Sequence, residues 1–196
     1  MSSEYDDSIW ELVQSEGRAP DPWLAQRARK FAAGSESVLD LGCGDGLFLP
    51  ELASAGGAVS GADRSTVALG RSAQREPSAT LHEVGANERL LIEDNSFERI
   101  WCSDTLEHVV DTQVVLSEAR RVLVPGGRML VATPDHPLRL RLRIALRGWE
   151  SHFDPFSPHL RFYTERSLRD ALDGCGFATQ SVEKRGGLLI AEALRA

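Results

Sequence analysis

The sequence predicts an α/β fold built on a largely parallel sheet. Three observations predict it. Short apolar runs alternate with longer stretches of helical periodicity from Ser37 to Pro134. A glycine-rich turn, "GCGDG", follows the first of those runs directly. The last two apolar runs are separated only by Gly186 and Gly187, a connection so short that the final strand must run antiparallel to its neighbour. Strands joined instead by crossover helices lie parallel, with right-handed connections.

Each element has its own signal. The stretch "DPWLAQRARKFAA" (21–33) reads as a helix, with Asp21 as N-cap, Pro22 in the first helical position and Gly34 as the stop. Ahead of it, Ile9, Trp10, Leu12 and Val13 fall on one apolar helical face, so residues 1–36 form an N-terminal helical segment. "SVLDLG" is the first strand and "LFLPELASAGG" a helix beginning near Gly46 and closed by Gly56 and Gly57. "AVSGAD" and "STVALGRSAQR" repeat the unit, and "ATLHEVG" and "FERIWCS" supply the third and fourth strands. The helix "TQVVLSEARRVL" places Val115, Ala119, Val122 and Leu123 on one face and is stopped by Pro125-Gly126-Gly127, before the fifth strand, "RMLVATP". Residues 164–196 close the domain. Thr164 caps a helix over 165–173, Tyr163 and Leu168 stand at staple positions, and "FATQSVEKR" and "GGLLIAEALR" make the hairpin.

Residues 135–162 break this rhythm and are rich in arginine, proline and histidine, which reads as an insertion above the sheet. Within it Arg139, Arg143 and Arg147 recur at helical i, i+4, i+8 spacing beside Leu138, Leu142, Ala145 and Leu146, the pattern of an amphipathic lid. Trp149, Phe153, Phe156, Phe162 and Tyr163 add aromatic surface.

Composition narrows the function. With 196 residues, 42% of them hydrophobic and 26% charged, the chain suits one globular domain. A net charge of −7 disfavours binding along a nucleic-acid backbone. The acidic start "MSSEYDDSIW" is unlike a secretory signal, and no apolar run approaches the ~20 residues of a membrane span, so a cytoplasmic location is expected. Cys43, Cys102 and Cys175 have no paired spacing, and the histidines are irregularly spaced; neither set predicts a metal site.

The turn after the first strand is the usual floor of a ligand site in an open parallel sheet. Gly42 and Gly44 let the backbone turn sharply and approach a ligand. A pyrophosphate fingerprint would need G-x-G-x-x-G, and its last position here is Leu47. Asp63, at the end of the second strand, is the residue that would accept hydrogen bonds from both hydroxyls of a ribose. The combination asks for an adenosine sugar without requiring phosphates.

The blocks "VLDLGCGDG", "GADRS", "EDNSFERI", "DTLEHVVD" and "RRVLVPGGRMLVATP", in this order over residues 38–133, resemble the class I S-adenosylmethionine-dependent methyltransferases, in particular the type 11-like group acting on small molecules. The resemblance implies a Rossmann-like, doubly wound sheet of seven strands, order 3-2-1-4-5-7-6, with strand 7 antiparallel. It implies one domain over 1–196, with a cofactor-binding core at 37–133, the insertion at 135–162 as a lid over the acceptor site, and a closing helix and hairpin at 164–196. S-adenosyl-L-methionine is the implied cofactor and S-adenosyl-L-homocysteine the product. The matching cofactor contacts are Asp40, Gly42, Cys43, Gly44 and Asp63, with Arg64 beside the adenine. Ala86 and Asn87 stand where relatives place an acid near the adenine amine, and Ser103 and Asp104 lie beneath the sulfonium.

Methyl transfer needs a nucleophile held in line, and an oxygen acceptor gains from a base. His108 is the first candidate for that base and His152, in the insertion, the second. The acceptor expected is a small molecule, anionic or lipid-like in view of the arginine–leucine pattern, methylated at oxygen, nitrogen or carbon. Base-amino methyltransferases carry a proline-rich turn where this chain reads "SDTL", and the cytosine-carbon enzymes a proline-cysteine pair that Cys102 lacks. A silent cofactor-binding module and a nicotinamide-dependent oxidoreductase are the alternatives, the latter weakened by the missing glycine.

Overall fold

The computed structural model describes residues 3–14, 17–85, 89–148 and 159–196. Helices α1 (Ser3–Leu12) and α2 (Pro22–Ala32) precede β1 (Ser37–Leu41), α3 (Leu49–Ala53), β2 (Ala58–Asp63), α4 (Thr66–Arg75) and β3 (Thr80–Glu83). Then follow β4 (Phe97–Ser103), α5 (Thr112–Val122), β5 (Leu123–Pro134), α6 (Leu138–Arg147), α7 (Glu165–Gly174), β6 (Phe177–Arg185) and β7 (Leu188–Arg195). The sheet order is β3-β2-β1-β4-β5-β7-β6. Strands β1 to β5 pair in parallel, and β7 runs antiparallel to both β5 and β6.

Both faces of the sheet are covered, and the period-2 alternation of the central strands assigns each residue to a face. Leu39, Ile100, Cys102, Met129 and Val131 pack toward α5 and α7, against Leu116, Ala119, Leu168 and Leu172. Val38, Trp101, Leu130 and Ala132 face the other way, against Leu24, Phe31, Leu49 and Leu52 of α2 and α3. Trp101 is the centre of this second layer. Fully buried, it lies 5.2 Å from the ring of Phe48 and 6.0 Å from that of Phe31.

The structure departs from the sequence expectations in three elements. Helix α3 starts at Leu49, because Gly46 before it is left-handed (φ +77°) and cannot belong to a right-handed helix. Pro125-Gly126-Gly127 does not separate α5 from the fifth strand. Leu123 already pairs with Phe97, and the ladder resumes with Arg128 opposite Arg99, so the three residues form a bulge inside β5. A proline with no N–H and a glycine at φ +74° suit a place where the ladder is interrupted. The third strand spans only Thr80–Glu83. No helix among the described residues is long and apolar enough to cross a membrane.

The closing helix starts as its sequence predicts. Thr164 Oγ1 accepts from Ser167 N at 3.1 Å, and Ser167 Oγ accepts from Thr164 N at 2.8 Å, a reciprocal cap. Tyr163 and Leu168 on either side are both buried in the same core. Replacing Thr164 by alanine should therefore lower folding stability by about 1 kcal/mol in urea titration. The slope of unfolding should not change, since the buried surface stays the same.

Candidate active site

The turn leaving β1 is built from left-handed glycines. Gly42, Gly44 and Gly46 have φ of +77°, +53° and +77°. The N–H groups of Gly42 and Cys43 both donate to the carbonyl of Ala62, at 2.8 and 3.1 Å, which folds the turn over the end of β2. A Cβ on Gly42 would stand 2.3 Å from Thr105 Oγ1, and one on Gly44 2.5 Å from the ring of Trp10. Glycine is thus required at both positions by backbone angle and by space. Thr105 belongs to the same construction: its hydroxyl donates to the carbonyls of Leu41 (3.2 Å) and Ser103 (3.0 Å), joining the ends of β1 and β4.

Asp63 holds this turn to the neighbouring strand. Its Oδ2 accepts from Gly44 N and its Oδ1 from Ser65 N, both at 2.9 Å. A carboxylate accepts about four hydrogen bonds, so the group keeps capacity for a further donor, and burial raises it above its ordinary value despite the backbone bonds, which include one from Arg64. Asp40 lies beneath, only 2% exposed, and its Oδ2 has no hydrogen-bond partner among the described residues. Burial, and then the charge of Asp63, push Asp40 up to about 8. Asp45, equally buried, pins the turn to the opposite side through Arg75 (3.3 Å) and Arg18 (3.4 Å).

Above the turn opens a cavity of about 460 Å³. Of the residues singled out in the sequence, Gly42, Asp63, Arg64, Asp104 and His108 line it. Asp40, Cys43, Gly44 and Ser103 do not. Asp40 and Gly44 shape its floor from behind, and Cys43 is turned inward, its Sγ 3.9 Å from Ser72 Oγ. Ser103 Oγ donates to Asp104 Oδ2 at 3.2 Å. Asp104 itself is left-handed, φ +51°, an unusual angle for a side chain with a Cβ and one often found at sites. Ala86, Asn87, His152, Trp149, Phe153 and Phe156 lie outside the described residues.

The far wall comes from α1, which the sequence placed only as an apolar helical face. Asp6, Ile9, Trp10 and Val13 all line the cavity. The helix is docked by charge and capping: Asp7 Oδ1 accepts from Ser65 Oγ (2.6 Å) and Val67 N (3.2 Å), and Arg64 Nε lies 3.4 Å from Asp6 Oδ2. Arg71 donates to the carbonyl of Val13 at 2.8 Å. The arginine assigned beside the ligand therefore also anchors the helix that walls it in.

At the other end, His108 follows a turn closed by its N–H to Thr105 O at 2.9 Å. Its ring lies edge-on to His159, 4.8 Å between centroids. Glu107, missed in the sequence, is only 1% exposed, and its Oε2 accepts from Thr133 Oγ1 at 3.0 Å. Burial pushes it up to about 7. The "DTLEH" block, at the end of β4, was the signal that could have found it. From the insertion, Leu160 reaches the cavity, while none of the described side chains of α6 lines it and Leu138, Leu142 and Leu146 are 64%, 54% and 86% exposed.

Asp40 makes stability depend on pH in a definite direction. Its carboxyl titrates near 3.8 when unfolded and near 8 in the fold, so the native chain keeps a proton that the unfolded chain has lost. Stability should fall as pH rises through that window, the full penalty being reached above it. Thermal melts of the ligand-free chain across the window should show a shallower fall in Asp40→Asn than in the wild type, with the variant the more stable at the alkaline end.

The chain was then compared with known proteins. Residues 14–182 match the family model described as a methyltransferase domain. An uncharacterized 37.1 kDa protein in transposon TN4556 of Streptomyces fradiae is 41% identical over 51% of this chain and 30% of its own length. A ubiquinone biosynthesis O-methyltransferase of Hydrogenovibrio crunogenus is 30% identical over 50% of this chain and 43% of its own. The chain thus spans less than half the length of these curated relatives. A SAM-dependent methyltransferase from Aquifex aeolicus superposes with a TM-score of 0.75 over 97% of this chain and 99% of that one, at 18% identity, a likeness of fold. With a family match running from just after α1 almost to the end of β6, the chain belongs to the methyltransferase-domain family.

Proposed function

We propose that this domain transfers a methyl group from S-adenosyl-L-methionine to a small-molecule acceptor. The observation that carries the reading is Asp63: a carboxylate at the end of β2, tied to Gly44 through one oxygen and to Ser65 through the other, facing the cavity with acceptor capacity to spare. The lining also fits this cofactor better than a dinucleotide. Asp63 and Asp104 are acids, Arg64 is engaged by Asp6, and the remaining wall is mostly apolar. Such a cavity suits hydroxyls, an ammonium and a sulfonium, and repels a pyrophosphate.

When bound, S-adenosylmethionine supplies a methyl carbon made electrophilic by its sulfonium. The chain supplies the rest. Asp63 receives the ribose hydroxyls, and the bare backbone at Gly42 allows a ligand to approach the turn. Trp10 and Ile9 of α1 give the cavity an apolar wall. His108 is the group facing the cavity that activates the acceptor. Holding the reacting atoms in line supplies much of the rate.

The acceptor class follows from the insertion. Exposed Leu138, Leu142 and Leu146 stand beside Arg139, Arg143 and Arg147 on α6, which follows β5, the strand paired with β4. That pairing favours an acceptor with an anionic group and an apolar body. The names of the ubiquinone biosynthesis O-methyltransferases among the relatives support methylation at oxygen.

Incubating the protein and labelled cofactor with fractionated metabolite extracts should yield a labelled product whose mass identifies the acceptor; absence of any methyl transfer would leave a binding module. In calorimetry, Asp63→Ala should weaken S-adenosylmethionine binding at least tenfold, the loss of two hydrogen bonds to a charged group. Equal affinity would remove Asp63 from the site. His108→Ala should cut turnover by about 10²-fold or more and leave cofactor affinity nearly intact; undiminished turnover would reduce His108 to a loop residue.

A further inference from the structure

Two neighbouring side chains, Glu107 and His108, meet a third from far along the sequence, His159, beside the cavity. One oxygen or nitrogen each of Glu107, His108 and His159 lie within 4.8 Å of one another. Glu107 is the anchor. Its Oε2 is fixed by Thr133 at 3.0 Å, and its Oε1 has no hydrogen-bond partner among the described residues although the side chain is only 2% exposed. His108 Nε2 is 4.0 Å from that orphan oxygen, too far for a hydrogen bond. The backbone carbonyl of Glu107 accepts from Leu160 N (2.7 Å) and Arg161 N (3.1 Å), and this pair of bonds brings His159 alongside.

A buried carboxylate oxygen left without a donor calls for a cation or a proton. Neutral imidazoles offer lone pairs, so the three groups converge as a set of acceptors. Two imidazoles and one carboxylate on one side of a point form the ligand set that binds divalent transition metals and leaves other positions open. The hydrogen bond from Thr133 to the distal oxygen is the outer support such a carboxylate needs. Metal–ligand distances of about 2.0–2.2 Å require the three atoms to draw together by about an ångström. Rotation of the half-exposed His108 ring can supply that.

We propose that Glu107, His108 and His159 bind a divalent transition-metal ion whose open positions face the cavity lined by His108. The sequence spacing of the histidines predicts no metal; the fold assembles the site. The inference rests on the methyl-transfer reading for its role, and it names how His108 activates the acceptor: as a ligand. An acceptor hydroxyl bound to the ion loses its proton to solvent. The resulting oxygen forms the new bond to the methyl carbon, while the carbon–sulfur bond breaks and its electron pair stays on sulfur.

The test uses the full chain stripped of metal, without cofactor or acceptor. Titration with Co2+, followed by visible absorption, and with Zn2+, followed by calorimetry, should show one ion per chain. Glu107→Gln and His159→Ala should each weaken both ions roughly tenfold or more, with circular dichroism confirming that each variant is folded. His159→Ala is the safer of the two, its side chain being only partly buried. No uptake at millimolar metal, or equal affinity in folded variants, overturns the proposal. S-adenosylmethionine affinity, measured in parallel, separates the two readings: normal cofactor binding without metal uptake removes only the metal, and metal uptake without cofactor binding removes only the transferase.

Discussion

The site depends on one hydrogen bond, from the Gly44 N–H to the carboxylate of Asp63. Two parallel strands, β1 and β2, end side by side, and their exits would be independent loops without it. The bond converts them into one rigid floor, helped by the donation of Gly42 and Cys43 to Ala62. It also orients Asp63, since a carboxylate held through each oxygen has little rotational freedom left. Preorganisation of this kind costs burial of an acid beside Asp40, and the upward displacement of both carboxyls is the sign of that cost.

Around that floor the chain spends charge on holding lids in place. Asp7 caps α4 in trans and so fastens α1 above the cavity, while Arg64 and Arg71 hold the same helix from below. On the opposite side Arg121 reaches the carbonyls of Leu90 (2.9 Å) and Ile92 (2.7 Å) and pairs with Glu118 (2.8 Å). Leu90 and Glu118 both line the cavity, so this clamp fixes its second rim to α5. The rims are thus secured by directed polar contacts and the floor by backbone geometry.

The two ends of the cavity differ in chemistry. Near Asp63 the polar groups are backbone N–H donors answered by carboxylates. Near His108 they are a buried acid and imidazoles. This division matches a domain in which one end is common to many ligands and the other is specific.

Most of the fold was legible in the sequence because its signals are local. Alternating apolar residues mark strands, Asp21, Ser65, Asp111 and Thr164 cap helices through their own neighbours, and Gly186-Gly187 permits only a hairpin. The places of the glycine turn and of Asp63 were legible for the same reason, since glycines at a strand end and an acid at the next one occupy fixed positions in a parallel sheet. The bulge in β5 and the late start of α3 were not, because a proline or glycine marks an interruption without saying which element it interrupts. Only the tertiary structure decided that α1 walls the cavity, that Cys43 turns inward, and that Glu107 and His159 meet His108. Those placements depend on contacts between residues distant in sequence, such as Cys43 with Ser72, Asp7 with Ser65 or Leu160 with Glu107. No local pattern encodes such a pairing, because its energy exists only once the sheet has brought the partners together.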